Sequence, residues 1–266
     1  MIKNTFLVLE NVGLKKEKSI WQQGIDDWND FLAVDRIKGI SRKAKIYYDK
    51  RLAEAKRKLY AEDIGYFYSN LPMSEHWRLY SYFKEQALFI DIEFSSIKKG
   101  YPTVISLYDG DDVKTMIRGI NMDKNLLEKE LNKAKLLVSF NGSVFDIPFL
   151  ERYFKIKVQI PHFDLRFALN RMGYSGSLKG IEKEFGIKRN NIYVENLGSG
   201  DPLLLWKTFL ATCDDYYLNL LVEYNQEDVI NLKMIADKIV EMLELHYKSI
   251  TMCNSNHDQK SPVLYG

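Results

Sequence analysis

Ala87-Leu88-Phe89-Ile90-Asp91-Ile92-Glu93-Phe94 is an apolar run broken only by two carboxylates and bounded by polar turns, the pattern of a buried central strand. Asp91 and Glu93 are two residues apart, so on a strand their side chains point to one face while Ile90, Ile92 and Phe94 point to the other. Two neighbouring carboxylates at the centre of a sheet repel each other. Burying them costs on the order of several kcal/mol unless a cation neutralises them. A hard divalent ion with oxygen ligands meets that need. From these eight residues alone, an edge strand with a solvent-facing acid pair reads equally well.

Downstream, residues 103 to 108 and 113 to 118 flank Asp109-Gly110-Asp111, a hairpin signal that predicts three antiparallel strands. Asp123 caps a predicted helix through Lys133, residues 136 to 140 form a fourth strand, and residues 145 to 154 return as helix. Residues 158 to 163 add an edge strand. Beyond Leu165 the pattern is mainly helical, with a loop over 190 to 202. Asp146, in Asn141-Gly142-Ser143-Val144-Phe145-Asp146, falls at a strand-to-helix junction on the carboxyl edge of the sheet, where ligands gather in open α/β folds. A plain helix cap is the alternative. Tyr224 and Asp228 are four apart on a helix and project together; the alternative is a packed tyrosine beside a solvated charge.

Upstream the character differs. Two short amphipathic helices are predicted, one around 15 to 22 and one starting at Asp26 or Asp27 with Trp28, Phe31 and Leu32, joined near Gly24. Residues 43 to 60 suit a longer helix with Ile46, Tyr47, Leu52 and Ala55 on its apolar side and a cationic face. Between Arg36 and Lys58 ten basic residues stand against two acidic ones, a local balance of +8 in a chain whose net charge is +2. Phosphate is a natural partner for such a stretch, and a solvated charged face is the commoner alternative. An aromatic helical stretch, Tyr66 to Phe83, is broken at Asn70-Leu71-Pro72.

At 266 residues, 46% hydrophobic and 28% charged, the chain has room for an α/β core and a smaller second unit. The expected division is a helical N-terminal region over 1–84, an α/β domain over 85–246 and a polar tail over 247–266. Cys213 and Cys253 have neither zinc-ligand spacing nor the number for a disulfide framework. The apolar run from Phe6 to Leu9 is too short for a signal-peptide core or a membrane span, so no membrane partner is expected and the expected address is the cytoplasm.

In order, D-x-E on a strand, N-x-x-x-F-D after a later strand and Y-x-x-x-D on a C-terminal helix match the three exonuclease motifs of the DEDD superfamily in its tyrosine-bearing subgroup. The chain resembles the YprB-type RNase H-like proteins, a group similar also to the proofreading domains of family B DNA polymerases. Pro161-His162-Phe163-Asp164-Leu165, Ser177-Leu178-Lys179-Gly180-Ile181-Glu182 with Gly186-Ile187, and Leu204-Leu205-Trp206 extend the likeness, which covers residues 88 to 239. In that group a helix-hairpin-helix-like element comes first; here Asn11-Val12-Gly13-Leu14 keeps one glycine where such a hairpin has two.

The resemblance implies an α/β fold, an RNase H-like mixed five-stranded sheet with flanking helices, and a metal-dependent 3′-5′ exonuclease acting on single-stranded nucleic-acid ends. It implies that Asp91, Glu93 and Asp228 hold one divalent ion, Mg²⁺ or Mn²⁺, that Asp91 and Asp146 hold a second, and that Tyr224 positions the attacking water. Asn141 and Phe145 are then substrate-binding candidates, and Lys179 and Arg189 candidate phosphate contacts. His162 reads as a structural polar group with Asp164 near the cleft, and Trp206 as core. Two rival functions use the same fold: a nucleic-acid-binding module without chemistry, and a structure-selective endonuclease.

Overall fold

The computed structural model describes residues 1–96, 100–198 and 201–252. Its sheet comprises β1 (Ala87–Phe94), β2 (Pro102–Tyr108), β3 (Val113–Ile117), β4 (Leu136–Ser139) and β5 (His162–Asp164) in the order β3-β2-β1-β4-β5. β1, β2 and β3 are antiparallel neighbours, whereas β4 and β5 run parallel to β1. The strand that opened the sequence reading is thus the central one, which removes the edge-strand alternative. β5 is shorter than the predicted 158 to 163 because Pro161 has no N–H for the ladder; only its carbonyl joins, accepting from Leu137 N at 2.9 Å.

The helices before the sheet are α1 (Leu14–Trp21), α2 (Trp28–Ala33), α3 (Arg42–Tyr60), α4 (Ile64–Asn70) and α5 (Tyr80–Phe83), with a 3₁₀ helix at Met73–Leu79. Those after β3 are α6 (Lys124–Lys133), α7 (Asp146–Phe154), α8 (Leu165–Arg171), α9 (Leu178–Glu184), α10 (Ile192–Asn196), α11 (Asp201–Thr212) and α12 (Asp215–Met252). Caps explain several boundaries. Asp27 and Asp30 form a capping box on α2, and Asp123 accepts from Asn125 N and Leu126 N at the start of α6. The segment predicted as a loop over 190 to 202 contains α10, started by the Asn191 side chain accepting from Tyr193 N, and the beginning of α11. α12 carries on past Tyr247 to Met252; the rest of the expected polar tail, 253–266, lies outside the described residues.

On α3 the buried positions are Lys45, Tyr48, Leu52, Ala55 and Leu59, an alternating three–four spacing. Ile46 and Tyr47, expected on the apolar side, are 55% and 42% exposed. The difference arises because the aliphatic stem of Lys45 packs inward while its ammonium reaches Asp49 at 2.7 Å.

Each sheet face has its own core. Leu88, Ile90, Ile92 and Leu137 pack with Leu127 and Leu131 of α6 and Leu150 of α7. Ala87, Phe89, Leu136 and Val138 face the other way, into an apolar core that continues through Val229, Leu232 and Ile235 of α12 to Phe6, Trp28 and Leu52 of the N-terminal region. Among the described residues no helix is long and apolar enough to cross a membrane.

Candidate active site

The parallel ladder between β1 and β4 ends at the Phe89–Val138 pair. Asp91 and Glu93 lie beyond it on the face shared with Ala87 and Phe89, the face that α12 covers. The inner stripe of α12 reads Leu221, Tyr224, Asn225, Asp228, Asn231, Leu232 and Ile235, all of them buried, so polar groups interrupt an otherwise apolar surface just where it crosses the end of β1. Oxygen atoms of Asp91, Glu93 and Asp228 lie within 4.8 Å of one another. Asn225 Nδ2 donates to Asp91 Oδ2 at 2.5 Å, and Gln226 donates to Thr115 Oγ1 at 2.9 Å, fixing the register of α12 over the sheet.

Asp146 enters from the neighbouring strand. It is the first residue of α7, and the helix cap position belongs to Phe145 without a side-chain hydrogen bond, so Asp146 is not the cap. The loop that delivers it is tightly determined. Asn141 adopts a left-handed φ of 63°, and a Cβ at Gly142 would come within 2.0 Å of Ser139 Oγ and 2.8 Å of Asp146 Oδ2. Only glycine fits there. Asp164 organises the same loop, accepting from Asn141 N (2.8 Å), Ser143 N (3.1 Å) and Ser143 Oγ (2.5 Å) while capping α8 through Arg166 N.

His162 lies underneath. Its Nε2 meets Ser139 Oγ at 2.8 Å, and its backbone N donates to His76 Nδ1 at 3.0 Å, which leaves His76 Nε2 as the donor to the Leu71 carbonyl. Burial pushes the His162 pKa down to about 4, so the ring is neutral.

The four acids share one electrostatic condition. Burial, reinforced by the Asp146 charge, pushes Asp91 up to about 8 against the opposing Asn225 hydrogen bond. Burial and the Asp164 charge push Asp146 up to about 8 as well. Glu93 rises well above its ordinary value through burial and the charges of Asp91, Asp228 and Asp146, and Asp228 rises through burial and Asp91. Asp146 is outside the 4.8 Å set but close enough for its charge to be felt by both strand acids.

One guanidinium answers this charge. Arg189 Nη2 donates to Asp228 Oδ1 and to Glu182 Oε1 (2.8 Å), with Nε to Glu182 Oε2 at 3.0 Å; Asn231 holds Glu182 from α12 at 2.9 Å. The turn that carries Arg189 is pinned by Glu227, which accepts from Asn190 N and Asn191 N. Arg189 is therefore buried and engaged with acids rather than presented to solvent. Lys179 is also occupied: its ammonium donates to the carbonyls of Val194, Glu195 and Leu197 and lies 5.0 Å from the centre of the Tyr224 ring. Arg189 approaches the same ring at 5.2 Å. The Tyr224 phenol is pushed far above its ordinary pKa by burial and by Asp228 and Glu93, so it stays a hydrogen-bond donor. Phe145, 44% exposed, borders the loop leading to Asp146.

Four carboxylates with only oxygen donors and too little internal positive charge fit hard divalent cations. Glu182, Asn225 and Asn231 were missed as site residues by sequence reasoning. Asn225 and Asn231 carried a signal nonetheless, since uncharged polar residues in the buried stripe of a helix need partners.

Carboxylates gathered at the ends of two adjacent parallel strands and on a helix crossing a mixed five-stranded sheet define an RNase H-like domain. Residues 88–240, more than half of the chain, match the RNase_H superfamily, and the chain belongs to that superfamily. Among solved structures it is similar to the family B DNA polymerase of the archaeon Pyrobaculum calidifontis (15% identity, TM-score 0.46), with 59% of this chain covering 25% of the polymerase. The chain thus spans about a quarter of that enzyme's length. It is similar also to Brucella melitensis NrnC with bound Mg²⁺ (20%, TM-score 0.42, 66% of this chain and 83% of that one). A third is the catalytic core of RRP6 from Trypanosoma brucei (14%, TM-score 0.45, 69% and 48%). No curated protein matches the chain.

Proposed function

We propose that the chain is a metal-dependent 3′-5′ exonuclease of the tyrosine-bearing DEDD subgroup, of the YprB type. The observation that carries this reading is the meeting of Asp91, Glu93 and Asp228 oxygens within 4.8 Å, beside Asp146, with pKa values driven upward by burial and then by one another's negative charge. Asp91, Glu93 and Asp228 would hold one Mg²⁺ or Mn²⁺, and Asp91 with Asp146 a second. When bound, such ions supply an acidified water and neutralise charge at the scissile phosphate.

The remaining roles belong to the chain's own groups. Tyr224, protonated and next to Asp228 on α12, donates a hydrogen bond that orients the attacking water. Phe145 offers a ring on which a terminal base stacks, beside the Asn141 loop. Lys179 and Arg189, both tied to groups of the chain, offset part of the negative charge that an incoming phosphate meets more than they contact it directly. The RNase H fold also serves binding and endonucleolytic roles, so the test is product size. Pure protein with 3′- and 5′-labelled single-stranded DNA and RNA in Mn²⁺ is expected to release mononucleotides stepwise from the 3′ end. Internal fragments would assign an endonuclease, and no products in Mn²⁺ or Mg²⁺ a binding module.

A further inference from the structure

The site leaves one strongly charged region unused, α3 with the residues leading into it. Of the ten basic side chains between Arg36 and Lys58, four are satisfied within the chain. Lys45 pairs with Asp49, Arg51 with Glu54, Lys58 with Asp63, and Lys56 donates to Asn29 Oδ1. The other six, Arg36, Lys38, Arg42, Lys43, Lys50 and Arg57, are exposed and have no carboxylate partner among the described residues.

Their arrangement is ordered. Lys43, Lys50 and Arg57 are seven apart, so each returns to nearly the same side of the helix about 10.5 Å further along, making a row about 21 Å long. Arg36, Lys38 and Arg42 extend the row at its N-terminal end around a recess of about 380 Å³, to which Asp35 contributes the one acid. α3 packs mainly on α2 and α4, leaving this face open.

We propose that this row is a docking surface for a nucleic-acid backbone, holding the body of a long substrate while its end is processed at the acids; that purpose rests on the exonuclease reading. Charge complementarity selects the occupant. Unpartnered cations in line repel one another, and duplex DNA presents a negative charge about every 1.7 Å along its axis, so a 21 Å row meets phosphate in any register and without regard to sequence. An anionic membrane fits less well, because among the large apolar groups exposed on α3 (Ile46, Tyr47 and Tyr60) both phenols are tied within the chain, Tyr47 to Glu10 at 2.8 Å and Tyr60 to Lys3 at 3.5 Å.

The test compares the full chain with the Lys43→Ala/Lys50→Ala/Arg57→Ala variant. Fluorescence anisotropy of a labelled 30-base-pair duplex is followed in EDTA as salt is raised. Losing three phosphate contacts is expected to flatten the slope of log K against log salt by about 2.7, since each contributes about 0.9. Hydrolysis of a dinucleotide in Mn²⁺, which has no body for the row to hold, is expected to be unchanged. The charge-preserving Lys43→Arg/Lys50→Arg/Arg57→Lys variant should keep the original slope. An unaltered slope in the alanine variant overturns the proposal, as does loss of binding in the charge-preserving one. Tighter capture by phosphatidylserine vesicles than by the duplex overturns it too. If the wild-type chain releases no mononucleotides from labelled single strands in Mn²⁺, the exonuclease reading fails while the binding slopes still decide the surface.

Discussion

Two groups of charge, one buried and one half-buried at Asp91 and Glu93, sit on the same side of the sheet and are built on opposite terms. Where the N-terminal region meets α8 and α12, Glu17 and Glu75 are matched by Arg78 and Arg171. Arg78 reaches Glu17 at 3.0 Å and Glu75 at 2.7 Å, and Arg171 reaches Glu75 at 2.5 Å. Arg78 is also stacked among Trp21, Trp77 and Tyr247 at 5.8, 5.2 and 4.7 Å. At the end of β1, by contrast, five acids, Asp91, Glu93, Asp146, Asp228 and Glu182, meet Arg189, which pairs with Asp228 and Glu182, and Lys179, whose charge reaches the same two acids but whose ammonium hydrogen-bonds backbone carbonyls. Burial raises carboxyl pKa values in both places, and at Glu17 it still prevails over Arg78, yet at Glu75 the two arginines outweigh it and the pKa falls below its ordinary value. Nothing does so for Asp91 or Glu93. A matched cluster explains itself as structure, whereas an unmatched one calls for a ligand that brings the missing charge.

Deleting an acid from each place should break that parallel most visibly. Asp228→Ala removes a proposed ligand but leaves Arg189 bound by Glu182 through two hydrogen bonds, so hydrolysis is expected to fall to background while the melting temperature in EDTA stays equal or rises. Near-wild-type hydrolysis by this variant would refute the ligand assignment. Arg78→Met takes the cation from the matched cluster, leaving Glu17 with only Thr5 and the Phe6 amide. Urea unfolding should show a loss of about 3–5 kcal/mol, the usual cost of stranding a buried partner. A loss below about 1 kcal/mol would mean that the aromatic packing, not the ion pairs, holds this junction.

The same contrast has a pH signature. Without metal, Asp91 and Asp146 hold their protons up to about pH 8, whereas the unfolded chain releases them near 3.8. The unfolded state therefore binds fewer protons between those values, and stability falls as pH rises through the window. His162 acts with the opposite sign, staying neutral when folded down to about 4 while the unfolded ring protonates below 6.5, so it masks the effect at the acid end. Glu75, with its depressed pKa, loses its contribution only as pH falls below its ordinary 4.5. Thermal melts between pH 6.5 and 8 should thus decline with pH in EDTA and become flat in saturating Mg²⁺. A decline of equal steepness in both conditions would place the proton-holding groups away from the metal site.

What the sequence made legible was local periodicity. The central strand, the hairpin at Asp109-Gly110, the Asp123 cap and the shared face of Tyr224 and Asp228 follow from spacings of two, three and four residues, which chain geometry turns directly into faces. Less legible was whatever depends on a partner distant in the chain. The inward side of α3 was misread by one residue because a lysine stem served as an apolar group. Arg189 read as a free phosphate contact because Glu182 lies seven residues away on α9 and Asp228 thirty-nine away on α12. Asp164 drew notice for its place in a motif, but its grip on the Asn141 loop emerges only when β4 and β5 lie side by side.

Tyr224→Phe gives the finest test of the unmatched cluster. The ring remains, held between Lys179 at 5.0 Å and Arg189 at 5.2 Å, so the helix face and the acids keep their places and only the hydroxyl is lost. One hydrogen bond to a positioned water is worth about 1–1.5 kcal/mol, which corresponds to about a tenfold reduction in kcat. Because burial and the surrounding acids raise the phenol pKa, the hydroxyl donates a proton to a hydrogen bond but does not ionise near neutrality. The kcat–pH curve of the variant should therefore be displaced downward without changing shape. A loss as deep as that of Asp228→Ala, or a missing limb in the pH profile, would move Tyr224 from orienting water to proton transfer.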